Sequence, residues 1–514
     1  MTPVWSLPAV ALDAVARLAE LIALRVRVGD VIALRGDLGA GKTTFARALI
    51  RTLLGEPQAE VSSPTFPLVQ TYATPRLPVA HFDLYRLAGV DDLAEIGFHD
   101  AAADALVLVE WPDRAEPELG LDRLEIGFAD GARADLRTVT ITAFGTWAPR
   151  LERLRQLRAF LDTAPGVDRN VQLTYLQGDA SARAYARLTG GAEPLVVMDA
   201  PTMPDGPPVR NGLSYSRIAH LAESVVPFVA IGTALGASGL SVPRILAQDL
   251  EAGFVLLEDL GDLTFGRALS EGYDQRQMWL AAVDTLVALR RTPLPTQMPL
   301  PDGTTYRLPR FDRAALEIEI ELLLDWYWPA VKGQAAPDSV RAEFVGLWSP
   351  IFDTMLAEPA GVFLRDVHSP NLFWLPDRDG PAKVGLIDFQ DALAEPWAYD
   401  LAALLQDARV TVSADLEREG LERYCRAVAD FSSDFDRQRF EALYACFGAQ
   451  RTTRLVGLWV RLLKRDGKPH YLQHMPRTWE YLARTLGHPE LAALRAWYDN
   501  HFPPEERAWP PLAT

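Results

Sequence analysis

Cysteine is nearly absent: the 514 residues include two, Cys425 and Cys446. Two thiols without the close spacing of a metal or redox motif exclude a disulfide framework and read as small buried hydrophobes in a reducing compartment. The first sixteen residues lack Lys and Arg, so the basic head of a secretory leader is missing. Positive charge is in deficit, 51 Lys and Arg against 68 Asp and Glu, for a net charge of −17. That balance excludes a general nucleic-acid binder, which gains affinity by releasing counterions from phosphates, though not a partner that itself carries RNA. Long apolar runs are lacking with one exception, the 20 uncharged residues from Ser224 to Pro243. Pro227, Pro243, Gly232, Gly236, Gly239 and several hydroxyls make it a buried helix with an exit turn, not a membrane span. No repeat or low-complexity tract occurs, and the Pro-rich stretches Pro201–Pro208 and Pro293–Pro301 read as loops. The expectation is a soluble, cytoplasmic protein with no membrane contact.

What is present is globular: 49% of the residues are apolar, and at about 150 residues per domain the length allows three or four modules. Leu12, Val15, Leu18, Ala19 and Ile22 recur at helical spacing, and Val31–Leu34 is a short apolar run expected of a strand covered on both faces. Further strand-like runs at Leu68–Tyr72, Leu106–Val109 and Thr138–Ala143 alternate with helical patterns, giving an α/β domain over 1–149. An Arg-rich amphipathic helix follows within a connecting segment, 150–165. Beyond it, strands are expected near Val171–Leu176, Ala184–Leu188, Leu195–Met198 and Phe254–Leu257, and helices dominate from 275, interrupted by apolar runs at Val362–Leu364, Leu372–Leu375 and Val384–Ile387. The second block, 166–514, divides into a strand-rich lobe to about 262 and a mainly helical lobe from about 263.

Gly36-Asp-Leu-Gly39-Ala-Gly41-Lys42-Thr43 matches G-x-x-x-x-G-K-[ST] between a predicted strand and a predicted helix, the context that motif requires. The glycines let backbone N–H groups face phosphates at the positive end of the helix. Lys42 can neutralise β/γ-phosphate charge and Thr43 can offer its hydroxyl to Mg²⁺. The ATP-binding set is Gly36, Gly39, Gly41, Lys42, Thr43 and Thr44. Asp83 and Glu110 each end an apolar run, where ligands gather in open α/β sheets, and either could be a solvated turn residue were there no P-loop beside it.

Together with Ser63-Pro64-Thr65-Phe66, His81-Phe-Asp83-Leu-Tyr-Arg86, Glu95-Ile-Gly97 and Glu110-Trp111-Pro112, these residues make 10–149 resemble the TsaE family of tRNA threonylcarbamoyladenosine-biosynthesis ATPases. The resemblance implies a catalytic Thr65 in a switch-like loop near the γ-phosphate and Asp83 in the Walker B role as a metal ligand. It also implies Glu110 as a catalytic or metal-linked acid and Trp111 close to the nucleotide. It further implies ATP hydrolysis while attached to the TsaD–TsaB synthase. No base-reading element is visible, so no direct sequence-specific nucleic-acid binding is expected.

A second phosphate site is written in Arg365-Asp366-Val-His-Ser-Pro-Asn371 and, 17 residues on, Leu386-Ile-Asp388-Phe-Gln390. Asp and Asn at this spacing, then an acid after an apolar strand, are the parts of a phosphotransferase centre. Asp366 would orient or deprotonate an attacking hydroxyl, while Asn371 and Asp388 would hold Mg²⁺ against ATP phosphates. Each alone would be a cap or turn residue; the order and the strand-rich lobe upstream favour phosphoryl transfer.

The pattern resembles the aminoglycoside-phosphotransferase-like kinases, a two-lobed protein-kinase-like fold, and within them the AmgK branch that phosphorylates N-acetylmuramate and N-acetylglucosamine at the anomeric hydroxyl. The shared stretches are Gly178-Asp-Ala-Ser181-Ala-Arg183, Val197-Met-Asp199-Ala-Pro201, Leu257-Glu258-Asp-Leu260-Gly261 and Arg465-Asp-Gly-Lys468. Resemblance assigns Gly178, Ser181 and Arg183 to a loop over the phosphates, and Glu258 and Leu260 to the adenine-side hinge. Two departures stand out: Leu364 replaces the family's usual His, and Met198 stands where most kinases keep a phosphate-pairing Lys. Arg183 or Arg187 would have to meet that charge, unless both are solvated strand residues. Trp326-Tyr327-Trp328 is either a sugar platform or core, His368 either a satisfied loop residue or a substrate contact, and Asp400 a support of the catalytic loop.

The reading is a fusion of two ATP- and Mg²⁺-using modules, a P-loop ATPase and an amino-sugar kinase. The alternatives are a C-terminal pseudokinase that docks or regulates, a kinase for another small hydroxyl acceptor such as an aminoglycoside, and a P-loop domain holding ATP only as a structural ligand.

Overall fold

The structure is a computed structural model and describes residues 4–87, 92–133, 135–168, 171–176, 183–357, 361–394 and 397–507. Packing divides the chain into two compact units, the first built from 1–201 and 246–259, the second from 202–245 and 260–514. The first unit therefore takes in two sheets, on either side of the 150–165 segment.

The strands of its larger sheet are β1 (Val4–Ala11), β2 (Val31–Arg35), β3 (Val69–Ala73), β4 (Pro78–Asp83), β5 (Leu106–Glu110), β6 (Arg123–Asp130) and β7 (Leu136–Ala143), in the spatial order β1-β7-β6-β2-β5-β4-β3. β2 lies parallel to β5 and β6, and β4 parallel to β5; the other pairs are antiparallel. The central strands β2 and β5 are buried along almost their whole length, as their unbroken Val, Ile and Leu runs require. Helices α1 (Leu12–Ala23) and α2 (Lys42–Leu54) pack together on one face, burying Val15, Ile22, Phe45 and Leu49. The register sets Leu34 opposite Glu110, and Glu110 opposite Asp83, so three adjacent parallel strands end at one level beside the glycine-rich turn.

The smaller sheet is antiparallel, in the order Ile245–Asp249, Phe254–Glu258, Leu195–Asp199, Ala184–Thr189, Gln172–Leu176. Helix Trp147–Thr163 joins it to the larger sheet. Leu151, Leu154, Leu157 and Leu161 enter one hydrophobic core that runs from Val15 and Phe45 to Leu188, Val197 and Leu256. Two ion pairs and a hydrogen bond lie alongside this core: Asp199 accepts from Arg153 at 2.7 and 2.9 Å and also from Arg25, while Glu20 accepts from the Leu173 amide at 2.9 Å.

The second unit is mainly helical. Its longest helix, Arg437–Asp466, has 30 residues and packs against Ala398–Leu405 and Met475–Thr485. The short antiparallel pair Leu372–Trp374 and Val384–Leu386 carries the turns of interest. The apolar run Val362–Leu364 forms no strand, only an isolated bridge between Phe363 and Leu393. Uncharged Ser224–Pro243 contains the helix Val226–Ala237, with Phe228, Val229, Ile231 and Leu235 buried. Among the described residues no helix is long and apolar enough to cross a membrane. Both cysteines are free and buried, and burial pushes their thiols up, to about 11 for Cys425 and about 12 for Cys446, the state of inert core thiols.

Candidate active sites

The P-loop site is assembled from the ends of β2, β4 and β5. Gly36 has φ +138°, and a Cβ there would meet the Phe128 carbonyl oxygen at 2.5 Å, so only glycine lets the loop pass β6. Gly41, with φ +120°, leads directly into α2, and Gly39 is also left-handed. Lys42 Nζ donates to the carbonyls of Gly36 and Asp37 at 2.7 and 2.9 Å, and sits 3.8 Å from the centre of the Trp111 ring. Burial pushes the Lys42 ammonium below its ordinary range, against the pull of Glu110, Asp83 and Asp37. Thr43 Oγ1 donates to Glu110, whose Oε1 also meets His81 Nε2 at 3.0 Å. Asp83 Oδ2 accepts from Thr65 at 2.8 Å and Ser63 at 3.0 Å, which ties the Ser63–Phe66 loop to the end of β4. Thr44 is half-buried in the first turn of α2.

The predicted P-loop residues are thus brought together. In the sequence, His81 stands out only as part of a motif. It is fully buried, its Nδ1 has no hydrogen-bond partner, and its other nitrogen orients Glu110. A histidine inside an apolar strand run, two residues before Asp83, is the available signal. Trp111 is held at φ 60°, an uncommon conformation for a bulky residue, and stacks near Tyr85 with centroids 5.0 Å apart.

In the second unit, Asp400 anchors the other loop, accepting from the amides of Leu364 at 2.6 Å and Arg365 at 2.9 Å. Arg365 is fully buried at φ 75°; it donates to the Ala219 carbonyl and pairs with Glu319. Burial pushes the Glu319 carboxyl up, but Arg454, Arg365 and Gln450 outweigh it and hold the group below its ordinary range. These anchors fix the backbone that presents Asp366, and so Asp400 supports the loop as expected. Asn371 Nδ2 donates to the Asp366 carbonyl at 3.1 Å and to Asp388 Oδ2 at 3.2 Å, and Gln390 donates to Asp388 Oδ1 at 2.8 Å. Asp388 itself is left-handed, φ 61°. Two strained backbone positions flank this centre, and each is held by several bonds.

Leu260 packs against the strand that precedes Asp388, where a Cβ on Gly385 would meet its Cδ1 at 3.0 Å. In the first unit, Glu258 ends a strand of the smaller sheet, and Arg183 lies one residue before another. Met198 is fully buried in the middle strand. Arg187, one of the two cations expected to replace the missing Lys, is instead bound to Asp259 at 2.5 and 3.2 Å, because Asp259 follows the end of the next strand but one in the sheet and offers a carboxylate in reach. Gly178 and Ser181 lie outside the described residues. Tyr327 and Trp328 are core, ringed by Trp479, Trp497 and Phe502, and so are no sugar platform, while Trp326 is half-buried. Among the described residues no group of three or more His, Cys, Asp and Glu could hold a metal ion; the oxygen sets at hand are mixed, Thr43 with Glu110 and Asp83, and Asn371 with Asp388.

Residues 172–443, more than half of the chain, match the family model described as phosphotransferase enzyme family. The chain belongs to that family. The N-acetylmuramate/N-acetylglucosamine kinase of Caulobacter vibrioides is 40% identical over 347 residues, 66% of this chain and 94% of that protein. The enzyme of the same name from Pseudomonas aeruginosa is 33% identical over 329 residues, 63% of this chain and 86% of that protein. In front of the phosphotransferase region, residues 10–138 match the model of the threonylcarbamoyl adenosine biosynthesis protein TsaE. The tRNA threonylcarbamoyladenosine biosynthesis protein TsaE of Rickettsia felis is 43% identical over 97 residues, 19% of this chain and 56% of that protein.

Proposed function

We propose that this chain is a bifunctional enzyme, an ATPase of tRNA threonylcarbamoyladenosine synthesis fused to a kinase that phosphorylates N-acetylmuramate and N-acetylglucosamine. What carries the kinase reading is the joining of Asp366, Asn371 and Asp388 by direct hydrogen bonds in a chain 40% identical to a kinase for those sugars.

Asp366 is half-buried on a loop fixed from behind by Asp400, so its carboxylate is held still where an acceptor hydroxyl can donate to it. In the transfer, the anomeric oxygen forms a bond to the γ-phosphorus while the bond to the β–γ bridging oxygen breaks. ADP leaves with that electron pair, and the hydroxyl proton passes to Asp366. Asn371 and Asp388 fit a hard divalent ion through their side-chain oxygens; bound Mg²⁺ would supply positive charge to the phosphates. Gln390 and the Asp366 carbonyl keep that pair oriented.

In the N-terminal domain, Lys42 faces the phosphates from the start of α2, Thr43 and Asp83 supply metal-binding oxygens, and Glu110 orients the attacking water. Ser63 and Thr65 reach Asp83, so the loop that bears them can sense what Asp83 binds. The partner of this domain is a TsaD–TsaB-type synthase, and both activities belong to the cytoplasm. The family-level boundary, 1–149 and 166–514 with a connecting helix, stays the working division of labour.

The test is incubation of the full chain with ATP, Mg²⁺ and either sugar. Sugar 1-phosphate is expected, with ADP formed in at least the same amount. Nucleotide binding without sugar phosphate would instead mark the second block as a pseudokinase.

A further inference from the structure

One face of the smaller sheet is apolar and belongs to the core of the P-loop domain. The register sets Leu173, Leu188 and Leu195 in one row across that face, and Ala186, Val197 and Leu256 in the next. All six are buried in the core that Val15, Ile22, Phe45 and Leu49 share with the leucines of the connecting helix Trp147–Thr163. Among the described residues this core takes nothing from the second unit. Were the P-loop domain and the connecting helix to unfold, the sheet would turn a contiguous aliphatic patch to water, which folded proteins rarely tolerate.

Polar contacts pin the same face. Arg153 of the connecting helix lies 3.7 Å from the centre of the Phe254 ring, donates to Asp199 at 2.7 Å and reaches the Gly253 carbonyl at 3.4 Å. From the P-loop side, Arg25 pairs with Asp199, and Glu20 accepts from the Leu173 amide. Arg76, in the turn between β3 and β4, donates to the Val26 carbonyl at 2.9 Å and lies 4.2 Å from the centre of the Tyr175 ring. Glu20 belongs to α1 and Arg25 lies two residues past its end; α1 packs along α2, whose first residue is Lys42. An unbroken run of packed elements thus leads from the glycine-rich turn to the strands of the kinase.

We infer that the P-loop domain is the built-in partner of the kinase's strand lobe, and that the two open and close as one cooperative body. Each site keeps its own chemistry; what they share is stability. A ligand that binds only the closed form stabilises everything that opens with it. Nucleotide held by the P-loop therefore protects the strands of the kinase as much as those of its own domain. That consequence rests on the nucleotide reading of the P-loop proposed above, while the cooperative body rests on packing alone.

Hydrogen exchange of the full chain, followed segment by segment, tests both. Val107 lies in the separate core on the other face of the larger sheet, which holds no residue of the strand lobe. Val107→Ala should nevertheless speed exchange in Ala184–Thr189 and Leu195–Asp199 by the same factor as in β2, about tenfold or more. In the unaltered protein, ATP at a hundred times its Kd for the P-loop should slow exchange in both sets at least about 100-fold. Lys42→Ala should cut that gain in both sets alike. Strand-lobe exchange untouched by Val107→Ala would overturn the inference, as would ATP protection of the strand lobe that Lys42→Ala leaves whole while β2 loses its own. Absence of any ATP protection of β2 in the unaltered protein would instead defeat the nucleotide reading of the P-loop, and the Val107→Ala comparison would still decide the cooperative body.

Discussion

The hydroxyl of Thr43 donates to both carboxylate oxygens of Glu110, at 2.8 and 2.9 Å. Thr43 opens the helix after the glycine-rich turn and Glu110 closes the next strand but one in sequence space of the same parallel set, so the bond spans the phosphate site. The hydroxyl oxygen keeps its lone pairs, so Thr43 can serve Mg²⁺ while still donating to Glu110, which His81 also holds. We expect Glu110→Gln to keep nucleotide affinity within a few-fold while lowering ATP hydrolysis by about 100-fold or more, the scale of a lost general base. Fluorescence titration of Trp111 and a phosphate-release assay check the two halves separately. Nucleotide affinity lost together with turnover would assign Glu110 to binding instead.

Asp199, itself buried, is the acceptor for two half-buried cations, Arg25 from the P-loop domain and Arg153 from the connecting helix. Burial and the nearby Arg25 push Arg153 down to about 10, which shows how little solvent helps these guanidinium groups. Asp199→Ala leaves both unpaired and should destabilise the first compact unit by about 3–5 kcal/mol. Asp199→Asn, which keeps one acceptor, should cost less. Urea unfolding of the full chain, followed by tryptophan fluorescence, measures the order of the three proteins.

Acid should weaken the second unit early. Burial, together with Arg409 and Arg477, pushes His474 down to about 4 from an ordinary value of 6.5, while Asp407 pulls the other way. The unfolded chain thus takes up a proton at this residue before the folded one does. The sign follows directly: stability is fully present above about 6.5 and falls as pH drops from 6.5 toward 4. His474→Gln should flatten that part of the profile of thermal midpoint against pH without moving the profile above pH 7.

Much of this architecture could be read from the chain, and the failures have physical causes. The glycine-rich turn, Asp83, Glu110, Asp366, Asn371 and Asp388 are each fixed by short-range pattern, a motif beside an apolar strand run. β1 is hidden in the sequence because Pro8 interrupts it, half of its residues are exposed, and its register shifts between Leu7 and Val10 as expected of an edge. β6 buries Leu124, Ile126 and Phe128 in strict alternation, but Gly127 and the flanking charges disguised the period. The Arg25–Asp199 pair joins residues 174 apart, and no spacing rule reaches that far.

The central claim is that two independent triphosphate centres share one chain. The most direct measurement assays ATP hydrolysis, in the presence of a TsaD–TsaB synthase, and sugar phosphate formation on the same preparations of Lys42→Ala and Asp366→Ala. Lys42→Ala should lose hydrolysis and retain sugar phosphorylation, and Asp366→Ala should do the reverse. Either substitution silencing both reactions in a folded protein would contradict the account.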